Sequence, residues 1–130
     1  MAAAGTISSI FDLVFEIAGT ANPETYTVSD LRGRRSFRVL GARVFNEGGI
    51  GNISITSTGP GGTTIVTSQA SANGAWKNLT LVAGAAQEVG VDQGIAFTIN
   101  ASGANFAAGS RLIISCIVGG SGTPITVTTP

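Results

Sequence analysis

An all-β fold, a single-domain antiparallel β-sandwich of jelly-roll type with about eight strands, is what this sequence predicts, on three observations. Short runs of alternating or β-branched residues recur roughly every ten positions along the 130 residues. Glycine, proline and asparagine punctuate them, with 19 glycines available for the turns. No segment is convincingly helical. Many short strands joined by Gly- and Pro-rich turns define a sandwich or jelly roll. A Gly-rich trimeric fibre is the rival architecture, but it requires a short recurring period, and none is present.

The elements follow in order. Residues 1–9 are small and weakly patterned and are expected to form a tail or an arm, with the sandwich occupying 10–130. From Ile10 to Ile17, Phe11, Leu13, Phe15 and Ile17 share one face of an extended segment and Asp12 and Glu16 the other. A helical spacing is also satisfied there; the β-branched and aromatic content favours a strand. After the Asn22-Pro23 turn, a short strand runs from Glu24 to Ser29.

The central element is Ser36 to Asn46. Written as an unbroken strand, it places Phe37, Val39, Gly41, Arg43 and Phe45 on one face and Ser36, Arg38, Leu40, Ala42, Val44 and Asn46 on the other. Both faces carry apolar side chains, so the expectation is an inner strand covered on two sides. Asn52 to Thr58 alternates cleanly, with Ile53 and Ile55 inward. Thr63 to Ser68 is a strand around Ile65 and Val66, Gln69 to Gly74 a loop, and Trp76 to Val82 a strand with Trp76 and Leu79 or Leu81 packed inside. Gly84 to Val91 is one short helical turn or plain loop. Gly94 to Asn100 alternates again, and Arg111 to Val118 is apolar on both faces. The closing TPITVTTP is expected to be an edge strand bounded by Pro124 and Pro130.

Composition narrows the chemistry. Seven basic and seven acidic residues cancel, which leaves no overall field to draw in nucleic acid or an anionic membrane, so neither is expected as a partner. Charged residues are 11% of the chain, against about 25% in ordinary soluble proteins, as expected if part of the surface is hidden against partners. Histidine is absent, which removes the commonest general base and metal ligand, and Cys116 is the single cysteine. Neither a metal nor another cofactor is expected, and Cys116, within LIISCIV, reads as a small buried hydrophobe. Glu88 and Asp92, four apart, are the acid pair to weigh for glycosidic-bond chemistry, but solvated turn carboxylates are the plainer account. The start MAAAGTISSIFDLVFEIAG lacks an early positive charge and is interrupted by Asp12 and Glu16, so a soluble intracellular product is expected.

Arg32, Arg34, Arg35, Arg38 and Arg43 place five positive charges within twelve positions. A solvated face with local ion pairs is one account of the cluster. A contact with an acidic partner across subunits is the other, and it makes these five the candidate partner-binding residues. Phe37 and Phe45 fall on the same strand face as the core residues, which argues against a stacking platform for bases.

The order FDLVFEIAGTANPETYTV, RRSFRVLGARVFNEGGIGNISIT, TTIVTS and LIISCIVGG resembles the small decoration, or cement, proteins of tailed bacteriophage capsids, over about Phe11 to Gly119. The resemblance implies a jelly-roll sandwich, commonly a homotrimer, made in the host cytoplasm and bound to the major capsid protein on the outside of the virion. It implies no catalytic residues. The alternative is a receptor- or carbohydrate-binding module of a phage fibre, with Trp76 or Tyr26 stacking on sugar rings and a glycan as partner.

Overall fold

The computed structural model describes residues 3–7, 10–17, 24–28, 36–90, 93–99, 106–118 and 125–129. These form eleven strands: β1 (Ala3–Ile7), β2 (Ile10–Ile17), β3 (Glu24–Val28), β4 (Phe37–Phe45), β5 (Asn52–Thr58), β6 (Thr64–Ala70), β7 (Trp76–Leu79), β8 (Glu88–Val89), β9 (Gly94–Ile99), β10 (Ser110–Val118) and β11 (Ile125–Thr129). A single 3₁₀ turn, Gly84–Gln87, precedes β8.

Two antiparallel sheets pack against each other. One has the order β2-β10-β4-β7, with β8 pairing the far end of β4; the other has the order β3-β9-β5-β6. The pairings β5 with β6, β4 with β7, β3 with β9 and β2 with β10 nest around one another, as if a long hairpin had been rolled up. That nesting is the jelly-roll topology. β1 and β11 add one further nested pair, a separate two-stranded sheet that joins the segment expected as an arm to the C-terminal strand.

Sequence chemistry accounts for the turns and the core. The β5–β6 hairpin turns through Gly61 at φ 73°, a left-handed conformation, and through Gly62, where a Cβ would overlap the Ser57 carbonyl oxygen. Ile53 and Ile55 of β5, Ile95, Phe97 and Ile99 of β9, Leu112, Ile114 and Cys116 of β10, and Phe37, Val39 and Val44 of β4 fill the space between the sheets. Phe15 of one sheet meets Phe97 of the other at 4.9 Å between ring centroids, and Phe11 meets Phe37 edge-on at 5.4 Å. Cys116 is buried among them as expected.

The central strand departs from its expected alternation. Ser115 pairs with Gly41 and Cys116 with Val39, so Leu40 is an extra residue, a β-bulge. Inward positions are Phe37 and Val39 before the bulge and Ala42 and Val44 after it. The apolar residues on its two apparent faces are thus largely one inward face read through a register slip; Arg43 and Phe45 point outward, and among the described residues no second layer covers them. On β10 the outward Ile113 and Ile117 are half-buried, flanked in the sheet by Val14 and Arg43 and by Ile10 and Arg38. Two further expectations are corrected: β6 extends to Ala70, into the expected loop, and Trp76 is not a core residue, because its pairing with Phe45 turns it outward, 45% exposed.

Candidate functional site

The outer faces of the two sheets differ in chemistry. On the four-stranded sheet, Thr25, Thr27, Ser54, Thr56, Thr64 and Thr98 face out, and the Thr25 and Thr98 hydroxyls are hydrogen-bonded at 2.9 Å. This is an ordinary solvated face. Tyr26 does not stand on it: its ring stacks on Phe97 at 4.9 Å, and its hydroxyl donates to Glu24 (2.7 Å), a bond that raises the phenol pKa.

The five-stranded sheet presents a different surface, laid out in four rows by its register. Ile10, Ile117, Arg38 and Glu88 form the first, and Asp12, Ser115 and Gly41 the second. Val14, Ile113, Arg43 and Asn78 form the third, and Glu16, Arg111, Phe45 and Trp76 the fourth. Ile10 (65% exposed), Val14 (59%), Leu40 (48%) and Trp76 lie on this face, and they are all but one of the exposed large hydrophobics among the described residues. Scattered apolar residues are ordinary on a surface; concentration on one face marks a contact.

The face divides into two halves. Its β2–β10 half carries Ile10, Val14, Ile113 and Ile117. The β4–β7 half is polar and aromatic: the Arg43 guanidinium lies 5.4 Å over the Trp76 ring, and Phe45 packs on the same ring with centroids 5.5 Å apart. Between the halves a hollow of about 160 Å³ opens where Gly41 lacks a side chain, lined by Gly41, Ala42, Arg43, Asn78, Leu79 and Ser115. The Ser115 hydroxyl donates to Asp12 at 2.7 Å on its edge.

Of the candidate arginines, Arg38 and Arg43 are both on this face, brought to the same side by the bulge, whereas an unbroken strand places them on opposite sides. Arg38 lies 3.6 Å from Glu88, a partly exposed ion pair. Arg32, Arg34 and Arg35 lie outside the described residues, as does Asp92, so the acid pair is represented by Glu88 alone. The expectation that Phe45 shares the core side is corrected: with Trp76 and Arg43 it makes an outward aromatic platform. Asn78 and Ser115 were not among the expected site residues. The one sequence signal for the hollow is a lone glycine in mid-strand, which marks a bulge or a close approach.

On the inner side of the same sheet, burial and then the nearby Asp12 charge push the Cys116 thiol up to about 12, so it is not a nucleophile at neutral pH. Among the described residues no three His, Cys, Asp or Glu side chains gather as metal ligands, and no helix is long and apolar enough to cross a membrane. The chemistry available on the outer face is that of contact: apolar burial, aromatic stacking and hydrogen bonding. No protein-family model matches the chain, and no curated protein or solved structure matches it.

Proposed function

We propose that this chain is a non-enzymatic structural protein of a virus particle, which decorates the outside of a bacteriophage capsid by docking on the major capsid protein and assembles with its own copies as a trimer. The observation that carries this reading is the concentration of exposed Ile10, Val14 and Leu40 on one face of one sheet, while the opposite outer face is mostly threonine and serine, with the small Ala96 among them in the registered rows. Burying such side chains contributes about 25 cal/mol for each Å² of apolar surface removed from water. The alternating charges around them, Arg111 beside Glu16 and Arg38 beside Glu88, set orientation without a net field. The resemblance to capsid decoration proteins and the jelly-roll topology support the same reading.

The test is binding of the purified chain to capsids of its source phage lacking this protein. Co-sedimentation with the capsids that is lost in Val14→Asp, with the variant still folded, is the expected result; equal binding by the variant refutes docking through this face. Light scattering at micromolar concentration is expected to report a trimer, and a strict monomer refutes self-assembly.

A further inference from the structure

The hollow over Gly41 has a chemistry that capsid docking does not require. Among the described residues, neither the Arg43 guanidinium nor the Asn78 amide has an ion-pair or hydrogen-bond partner. Arginine offers donors only, whereas the Asn78 amide offers both a donor and an acceptor. The Ser115 proton is held by Asp12, which stands just behind the lining, so the Ser115 oxygen faces a ligand as an acceptor. Gly41, Ala42 and Leu79 complete the lining and bring no side-chain polar atom.

This set discriminates by charge. A carboxylate or phosphate drawn to Arg43 is repelled by the Asp12 charge behind Ser115; a cation drawn toward Asp12 is repelled by Arg43. A neutral group that donates and accepts in several directions, with carbon on one side, matches every wall. The volume of about 160 Å³ falls below the roughly 300 Å³ at which sites for drug-sized ligands begin. One ring fits, and a larger ligand has to continue over the platform of Trp76 and Phe45.

We infer that the hollow over Gly41 is a binding subsite for one neutral sugar ring, held by Arg43, Asn78 and Ser115 beside the Trp76 platform. The site goes beyond the capsid-docking role and does not depend on it: the ring enters through the β4–β7 half of the face, and Ile10 and Val14 on the other half take no part.

The structure supplies a clean variant. A Cβ built on Gly41 meets nothing within 4 Å, and the backbone there is not in the left-handed region, so Gly41→Leu is the variant that projects a side chain into the hollow, its fold checked by its own two-dimensional spectrum. The full chain is titrated by two-dimensional NMR with methyl glycosides of glucose, galactose, mannose and N-acetylglucosamine, and with sodium acetate as the anion control. Millimolar binding that moves the Gly41, Ser115 and Asn78 signals is expected, as for a contact of about 4 kcal/mol. Gly41→Leu and Asn78→Ala are each expected to weaken it by about tenfold or more. An oligosaccharide of the bound unit distinguishes the source: tighter binding identifies a glycan chain, equal binding a free sugar. Val14→Asp is expected to leave sugar binding unchanged while abolishing capsid docking, which separates the two proposals. The sugar subsite is overturned if none of the four glycosides moves these signals, if Gly41→Leu binds as the parent does, or if acetate binds in preference.

Discussion

Asn46 is the polar side chain on which one end of the sandwich turns, and removing it is a sharp test of how that end is held. It is fully buried, at the end of β4. Its Oδ1 accepts from the Gly48 N–H, the Ala107 N–H and the Ser110 hydroxyl, each at 3.2 Å, and its Nδ2 donates to Ser71 Oγ at 3.0 Å. In Asn46→Ala the two hydroxyls keep other partners: Ser110 still donates to the Ala107 carbonyl at 2.6 Å, and Ser71 still accepts from the Gly51 N–H at 3.0 Å. The Gly48 and Ala107 N–H groups lose their acceptor. Each orphaned backbone donor costs about 1–3 kcal/mol, and both sites are only part-buried, so the expected loss is toward the lower end, about 2–4 kcal/mol in total. Urea unfolding followed by Trp76 fluorescence measures it, with the exposed Asn78→Ala as a control expected within about 0.5 kcal/mol of the parent. A loss below about 1 kcal/mol for Asn46→Ala refutes the reasoning, because it would mean that the turns at Gly48 and at Ala107–Ser110 are held without their common acceptor.

Two further predictions concern the same sheet. Gly41→Ala places a methyl group in open space at a mid-strand position and is expected to raise stability by about 0.5–1 kcal/mol, read as an upward shift of the urea midpoint with an unchanged slope. Cys116 has its thiol pKa raised from 9.0 to about 12, so the folded state holds this proton more tightly than the unfolded state. Its contribution is complete below pH 9 and is lost as pH rises from 9 toward 12, at up to about 1.4 kcal/mol per unit. Unfolding free energies of the parent and Cys116→Ala, measured from pH 8 upward, are expected to converge with that slope; parallel curves refute it.

How much of this was legible in the sequence depended on whether one face of a strand had a single chemistry. β5 reads directly, since Ile53 and Ile55 alternate with Ser54 and Thr56 and the structure buries that same pair. β2 is legible for the same reason: Phe11, Leu13, Phe15 and Ile17 turn in, and Asp12 and Glu16 turn out. Trp76 was not legible, because its direction follows from pairing with Phe45 of a distant strand, and a large aromatic is by default assigned to the core. Likewise Asn46 gave no signal of its network. Its partners Ser71, Ala107 and Ser110 come from turns that only the rolled-up topology brings together.

The bulge at Leu40 joins the misread strand to the site. If alternation had continued from Phe37 without a break, Arg43 would have entered the core and Val44 would have left it. A guanidinium without a partner between the sheets costs far more than one irregular pair in a ladder, so burial energetics select the extra residue. The slip then does three things on the outside at once. It turns Arg43 and Phe45 outward to meet Trp76, it adds Leu40 to the exposed apolar set, and it leaves Gly41 at the surface with no side chain, which opens the hollow. The requirement that keeps a charge out of the core therefore also shapes the surface on which both proposed contacts depend, and this is why Gly41, where an added Cβ meets nothing within 4 Å, is the position from which the hollow is tested.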